Sequence, residues 1–394
     1  MKKLIGTAML AALLATSAFA EITFGAWLRT VVVPVAGNGD KILTGWQNSW
    51  GQGVRTARLN TSWTSDDEKV GMMFDIYGDN FEIEVGDYVA GWWKPADWVK
   101  FMVGKIDNGY TMRSDVTYGS WAWIRPVNWV YDDEGITFQL GTMAAGLQVE
   151  LFPVEGLQIL ARLPLIVEKY WVDSSEAVKH NAYGVKNGEK EEDVNVYEKG
   201  AFTYQETYKA FGNGTVAVGY TIGDIGTIKA AFLGGYDSGA GKYGTVNAAF
   251  DLTAVENMFL TVGVRIPVED KISDGEMQAT PTLGFSYQIL DNFRIALTAG
   301  AEFVKANDPT ISAGVGIDYG FTDTLGLVAD FRYLGDLEKD KTVLSFLVGV
   351  NYALSSNGTL GIGFQGATEG NGLGFTGHKD DFSWAVPVKF ELAF

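Results

Sequence analysis

Two histidines, His180 and His378, are the only imidazoles in the chain, and there is no cysteine. That is too few nitrogen and sulfur ligands for a zinc site. Ser383 lies near His378, but no third side chain orients the pair, so a serine-hydrolase arrangement lacks its frame. The acidic stretches do not carry the twelve-residue spacing of a calcium loop. Residues 361–366 and 372–377 match a dinucleotide fingerprint by letter. Neither stands between a strand and an apolar-periodic helix, and 49 glycines produce such matches by chance. No catalytic residue, metal or cofactor is assigned.

The residues that can do physical work are charges set opposite an apolar register. Arg29, Arg58, Arg162, Arg265, Arg294 and Arg332 all alternate with apolar neighbours, and Glu302 and Asp330 share their side. If the apolar side meets hydrocarbon, these eight face a watery interior. An arginine turned to lipid at mid-membrane would cost about 2–4 kcal/mol, so energy and parity agree on the inward direction. Facing rows of opposite charge would order water and favour polar solutes. Mutual pairing in a wet lumen would leave little selectivity. The tryptophans cluster early, and Trp27 shares the inward parity of Arg29. They suit interfacial girdles, while Trp27 also suits stacking against a sugar ring.

The elements that must hold these residues are strands. Residues 292–303, 324–333, 341–351 and 257–266 alternate with period two. The last strand does the same: Phe394, Leu392, Phe390, Val388 and Val386 take one side, Ala393, Glu391, Lys389 and Pro387 the other. Connections alternate short (223–226, 253–257, 290–292, 321–324, 354–357) and long (237–242, 268–276, 335–340, 367–381). Earlier strands are expected at 21–33, 53–64, 69–78, 81–93, 98–106, 119–126, 135–143, 146–152 and 156–167. The count is about twenty, with eighteen and sixteen also open. The fold class is therefore an all-β, closed, up-and-down antiparallel transmembrane β-barrel of about 16–20 strands, with short periplasmic turns and longer outer loops. The polar run 168–201 is too long for a hairpin; it is either an outer lid or an inward constriction. Residues 111–120 are a second candidate for folding inward.

Residues 1–20 read as an export signal: Lys2 and Lys3, an apolar run, then Ala18-Phe19-Ala20. Residues 21–394 form a single barrel domain with no linker. No later apolar run is long enough for a spanning helix, so insertion must be by strands. The composition fits: 12 Trp, 17 Tyr and 23 Phe with only 9 Pro. A formal charge of −18 argues against nucleic acid as a partner.

The exported start, the strand 98–106 leading into Asp107-Asn108-Gly109, the turn and loop alternation and the terminal Phe394 together resemble Gram-negative-type outer-membrane porins. The resemblance implies an integral place in the outer-membrane lipid and recognition of residues 382–394, Phe382 through Phe394, by the barrel-assembly machinery. It also implies a homotrimer. The short acidic constriction motif of the general porins is not matched, so no eyelet residue is carried over. The function expected is a water-filled channel for passive diffusion of small polar solutes and ions. The alternative is a surface adhesin or antigen acting through loops 168–201 and 367–381. An outer-membrane hydrolase would need His180 or His378.

Overall fold

Alternation of apolar with small or polar residues makes strands that are greasy on one side only. In a computed structural model these strands close into a cylinder. The structure describes residues 22–38, 41–47, 57–79, 82–107, 112–116, 136–143, 145–165, 178–180, 194–196, 207–237, 241–268, 278–304, 308–368 and 382–394. The export signal, the strand expected at 119–126, His378, loop 367–381 beyond Thr368 and most of 168–201 lie outside them.

In chain order the first strands are β1 (Ile22–Asn38), β2 (Lys41–Gln47), β3 (Ala57–Thr64), β4 (Val70–Asp79), β5 (Glu82–Ala96) and β6 (Val99–Lys105). Then come β7 (Ser114–Asp115), β8 (Ile136–Phe138), β9 (Gly146–Leu151), β10 (Leu157–Pro164), β11 (Val178–His180), β12 (Val194–Val196) and a short helix α1 (Thr207–Gly212). The second half is regular: β13 (Thr215–Ile222), β14 (Gly226–Asp237), β15 (Gly241–Leu252), β16 (Met258–Pro267), β17 (Gln278–Leu290) and β18 (Phe293–Val304). It ends with β19 (Thr310–Gly320), β20 (Leu325–Asp336), β21 (Lys341–Ser355), β22 (Gly358–Ala367) and β23 (Ser383–Ala393).

Every wall strand pairs antiparallel with its neighbours, and β23 closes on β1 from Trp27↔Ala393 to Asn38↔Ser383. The last residue seals the seam: Phe394 and Ala26 exchange backbone hydrogen bonds at 2.6 and 2.9 Å. β2 lies along the upper part of β1 and β3 along the lower part, so together they fill one position. The wall is a closed barrel of eighteen strands. Closure leaves no open edge, which is what lets strands cross hydrocarbon.

Eighteen lies within the 16–20 strands read from the sequence, two below the leading count of twenty. The strand expected at 135–143 is not in the wall; only Ile136–Phe138 is extended there, and it pairs with β7. The strand expected at 119–126 lies outside the described residues. Alternation alone cannot tell a wall strand from one folded against the wall.

Exposure is inverted relative to a soluble protein. Leu28, Val218, Phe232, Val262, Phe331, Val348 and Ile362 are exposed, while Asp75, Gln148, Glu150, Thr261, Asp330 and Lys389 are buried. The apolar side is the outer face, a surface suited to lipid. Val262, 41% exposed at the middle of β16, tests this. Val262→Arg is expected to cost about 2–4 kcal/mol in urea unfolding from lipid bilayers, the penalty for a cation at the midplane.

Candidate functional site

Between β6 and β9 the wall is low, since these strands have 7 and 6 residues against 10 to 15 along most of the wall. Gly104 sits at φ 129, where a Cβ would stand 2.1 Å from the carbonyl oxygen of Val89. The ladder ends in an isolated bridge, Ile106↔Met143. Past it both arms of the connection leave the wall, tied at their root by the Thr142 hydroxyl donating to Asp107 Oδ1 at 2.8 Å.

The described parts of this connection, 112–116 and 136–143, touch seven consecutive wall strands from β10 to β18. Residues 112–116 alone touch six of these strands, β13 to β18, which at about 4.8 Å spacing is roughly 24 Å of wall, beyond the reach of five extended residues along its outside. All the contacts fall on the face opposite the exposed apolar residues. The segment therefore lies inside. This is the infold expected at 111–120, seen over Met112 to Val116.

Large side chains on the segment meet small ones on the wall. Phe138, Leu140 and Met112 pack against Ala217, Ala231 and Ala249, with Leu160 and Leu233 alongside. Val116 packs against Ala296 and Phe259. Gly263 admits Thr137, whose carbonyl oxygen would lie 2.3 Å from a Cβ there. Polar contacts fix the register. Asn247 Nδ2 donates to the Gln139 carbonyl at 3.1 Å, and the hydroxyls of Thr137 and Thr261 share a hydrogen bond of 2.5 Å. Lys229 Nζ donates to Ser114 Oγ at 2.7 Å and to the Arg113 carbonyl at 3.1 Å. Ser114 in turn donates to Asp251 Oδ2 at 2.8 Å.

Met112, Ser114 and Val116 are buried against the wall, which leaves Arg113 and Asp115 on the other side of the segment. They are half-buried and form an ion pair at 3.3 Å. Across the barrel, on β1, β3, β4 and β5, stands a second cluster. Arg58 bonds Asp75 and lies over the rings of Tyr77 (5.3 Å) and Tyr88 (5.6 Å). Tyr77 donates to Asp87. Arg29 pairs with Glu391 at 2.8 Å and lies over Trp27 at 4.9 Å, whose ring is 6.4 Å from that of Tyr77.

The remaining residues singled out from the sequence occupy the inner face at other positions. Arg162 is buried; its Nε donates to Gln148 at 2.6 Å and its Nη1 to the Gly141 carbonyl at 2.5 Å. Asp330 and Arg332 pair with each other, buried, through Nε at 2.8 Å. Arg294 pairs with Asp318 at 3.3 Å. Arg265 is exposed toward the loop end of β16, and Glu302 sits near the loop end of β18. Arg29, Arg162, Arg265 and Arg332 thus stand on four separated strands and spread around the circumference rather than forming one row. Ser383 is buried on the inner face of β23.

Sequence reasoning missed the acids that neutralise these arginines: Asp75, Asp87, Glu150, Asp318 and, as partner of Arg29, Glu391. It also missed Lys229 and Asp251, although both share the inward register of their strands. Alternation carried that signal; their partners are set by neighbours far away in the chain.

No protein-family model matches the chain, and no curated protein matches it. Solved structures do. The anion-selective porin from Comamonas acidovorans aligns with a TM-score of 0.53 at 12% identity, over 95% of this chain and 100% of that one. OccK11 (OpdR) of Pseudomonas aeruginosa aligns at 0.51 with 10% identity, over 95% and 96%. The outer membrane channel DcaP of Acinetobacter baumannii aligns at 0.50 with 10% identity, over 96% and 99%. By fold the chain is a closed β-barrel similar to those of these porins and channels.

Proposed function

We propose that the barrel is a channel, integral to the outer membrane, through which small polar solutes and ions diffuse passively. The observation that supports this best is the infolded segment itself. A wall of eighteen strands tilted near 40° has a backbone radius of about 18 Å, too wide to fill with its own side chains. The segment narrows that space from one side while Arg113 and Asp115 stay clear of the wall. Opposite them stand Arg29, Arg58, Asp75 and Asp87. A solute passing between meets charge on both sides and an aromatic wall at Trp27, Tyr77 and Tyr88.

Planar-bilayer recording of the purified protein tests the reading. Stepwise conductance is expected, and its absence would sink it.

Arg265 and Arg332 contribute differently. Arg332 is buried with Asp330, and removing both charges leaves the net charge of the lumen unchanged, whereas removing Arg265 from the inner face changes it by one. A unit charge about 8 Å from an ion in water changes its energy by about 0.5 kcal/mol, roughly twofold in permeability. Arg265→Ala is therefore expected to move the reversal potential in a salt gradient toward cation preference. The paired Asp330→Asn, Arg332→Met variant should leave it in place.

A further inference from the structure

We propose that Lys229 and Asp251 are positioning residues that set the aperture of this channel: they form a latch, and Ser114 is the part of the infolded segment it holds. The proposal rests on the channel reading above and adds which residues hold the constriction and how it can let go.

Three features of the geometry point to a latch rather than a permanent staple. First, Lys229 and Asp251 stand on adjacent wall strands, β14 and β15, 2.7 Å apart and both nearly buried. The Ser114 hydroxyl sits between them, accepting from the ammonium and donating to the carboxylate. All three ammonium hydrogens are used: one on Asp251, one on Ser114, one on the Arg113 carbonyl. Two of the three thus go to the segment. When the segment leaves, the ion pair stays on the wall and lumen water can take the vacated positions. The latch is a straight exchange of protein for water partners, which carries a small net free energy.

Second, the segment is held unequally. The returning arm, 136–143, is seated by Phe138 and Leu140, both almost fully buried. The outgoing residues 112–116, called the tip below, are seated by Met112, Val116 and the latch; they join the returning arm through a pairing of two residues per strand and a 3.3 Å hydrogen bond from the Thr137 hydroxyl to the Ser114 carbonyl. Third, the tip begins at Met112, whose φ of 52 is a left-handed conformation that methionine rarely holds, so the backbone gains on leaving it. The tip can lift while the returning arm stays in place, which gives two apertures rather than a continuum.

Single-channel recording of the full-length protein in planar bilayers decides this. Wild type is expected to hold one main level. Lys229→Met should add a larger level occupied at least about tenfold more often than in wild type, as expected for losing two hydrogen bonds to a charged donor. Ser114→Ala, which leaves the wall pair intact, should show the same level more weakly. It also covers the case in which Lys229→Met does not fold. The chain has no cysteine, so a single disulfide can be added cleanly. A Cβ at Gly284 would stand 3.3 Å from the Val116 Cβ, close to the 3.5–4.5 Å of a disulfide. In the Lys229→Met background, Val116→Cys with Gly284→Cys should abolish the larger level when oxidised and restore it on reduction.

A larger level that persists in the oxidised protein overturns the latch. So does a Ser114→Ala channel indistinguishable from wild type. Failure of the channel reading looks different, since wild type itself would then show no steps.

Discussion

Replacing Gly263 by valine is expected to raise single-channel conductance about 1.5-fold, because a layer about 10 Å thick on one side of a lumen of about 13 Å free radius fills roughly a third of its section. The cause is steric. A Cβ at Gly263 would stand 2.3 Å from the carbonyl oxygen of Thr137 and 3.1 Å from its carbonyl carbon and Cβ. These are mostly backbone atoms, with no flexible end to swing aside. Thr137 also carries the 2.5 Å hydrogen bond to Thr261 and the bond to the Ser114 carbonyl, so moving it unseats both arms. The wall should tolerate the change, since valine suits a strand and the lipid side of β16 is untouched. Gly219→Ala is the matched control. Its Cβ would meet the flexible end of Met112 at 3.5 Å and the Lys229 Cγ at 4.0 Å, both ordinary contacts. Conductance should be unchanged there, and both variants should keep the heat-induced gel shift of a folded barrel. Wild-type conductance in Gly263→Val would mean that the segment does not restrict the path.

The same glycine shows what the sequence did and did not reveal. The barrel was legible because lipid imposes a one-residue rule: Val262 out, Gly263 in, Val264 out, repeated strand after strand. The closure was legible because the last strand ends in Phe394 at the same parity. The infold was only half legible. Residues 135–143 alternate well enough to pass as a wall strand, because a segment lying on the wall also buries one side. A signal was nevertheless present on the receiving side. The inward positions of β13 to β18 are unusually small: Ala217, Gly219, Ala231, Ala249, Gly263, Gly284 and Ala296. A wet lumen calls for polar residues there, and small apolar ones mark a seat for something else. The ion pairs were not legible. Arg58 finds Asp75 on the next strand, but Arg29 finds Glu391 at the other end of the chain, and only closure brings them together. Bulges such as the one between Phe74 and Ile76 also shift the parity on which such pairings depend.

Arg162→Met is expected to destabilise the barrel by about 3–5 kcal/mol, the usual consequence of leaving a buried charge without its partner. Arg162 is 4% exposed and anchors a chain of contacts on the inner wall. Its Nε holds Gln148; Gln148 donates to Glu150 at 2.6 Å; and Gln158 reaches the other oxygen of Glu150 at 3.4 Å. Glu150 is itself 3% exposed. Without the guanidinium, this carboxylate stays buried with neutral donors, and the Gly141 carbonyl loses the hydrogen bond that ties the returning arm to β10. The loss should read as a lower urea midpoint and a lower temperature for the gel shift. It separates from a packing effect by a second variant. Arg162→Met with Glu150→Gln removes both charges at similar volume, a change that is often neutral or better for buried pairs. Most of the lost stability should therefore return in the double variant. The Gly141 contact should not return, so the double variant should be stable yet show a noisier open channel than wild type. If the double variant is no more stable than Arg162→Met alone, charge compensation at Glu150 is not what Arg162 supplies, and its place in the wall is one of packing.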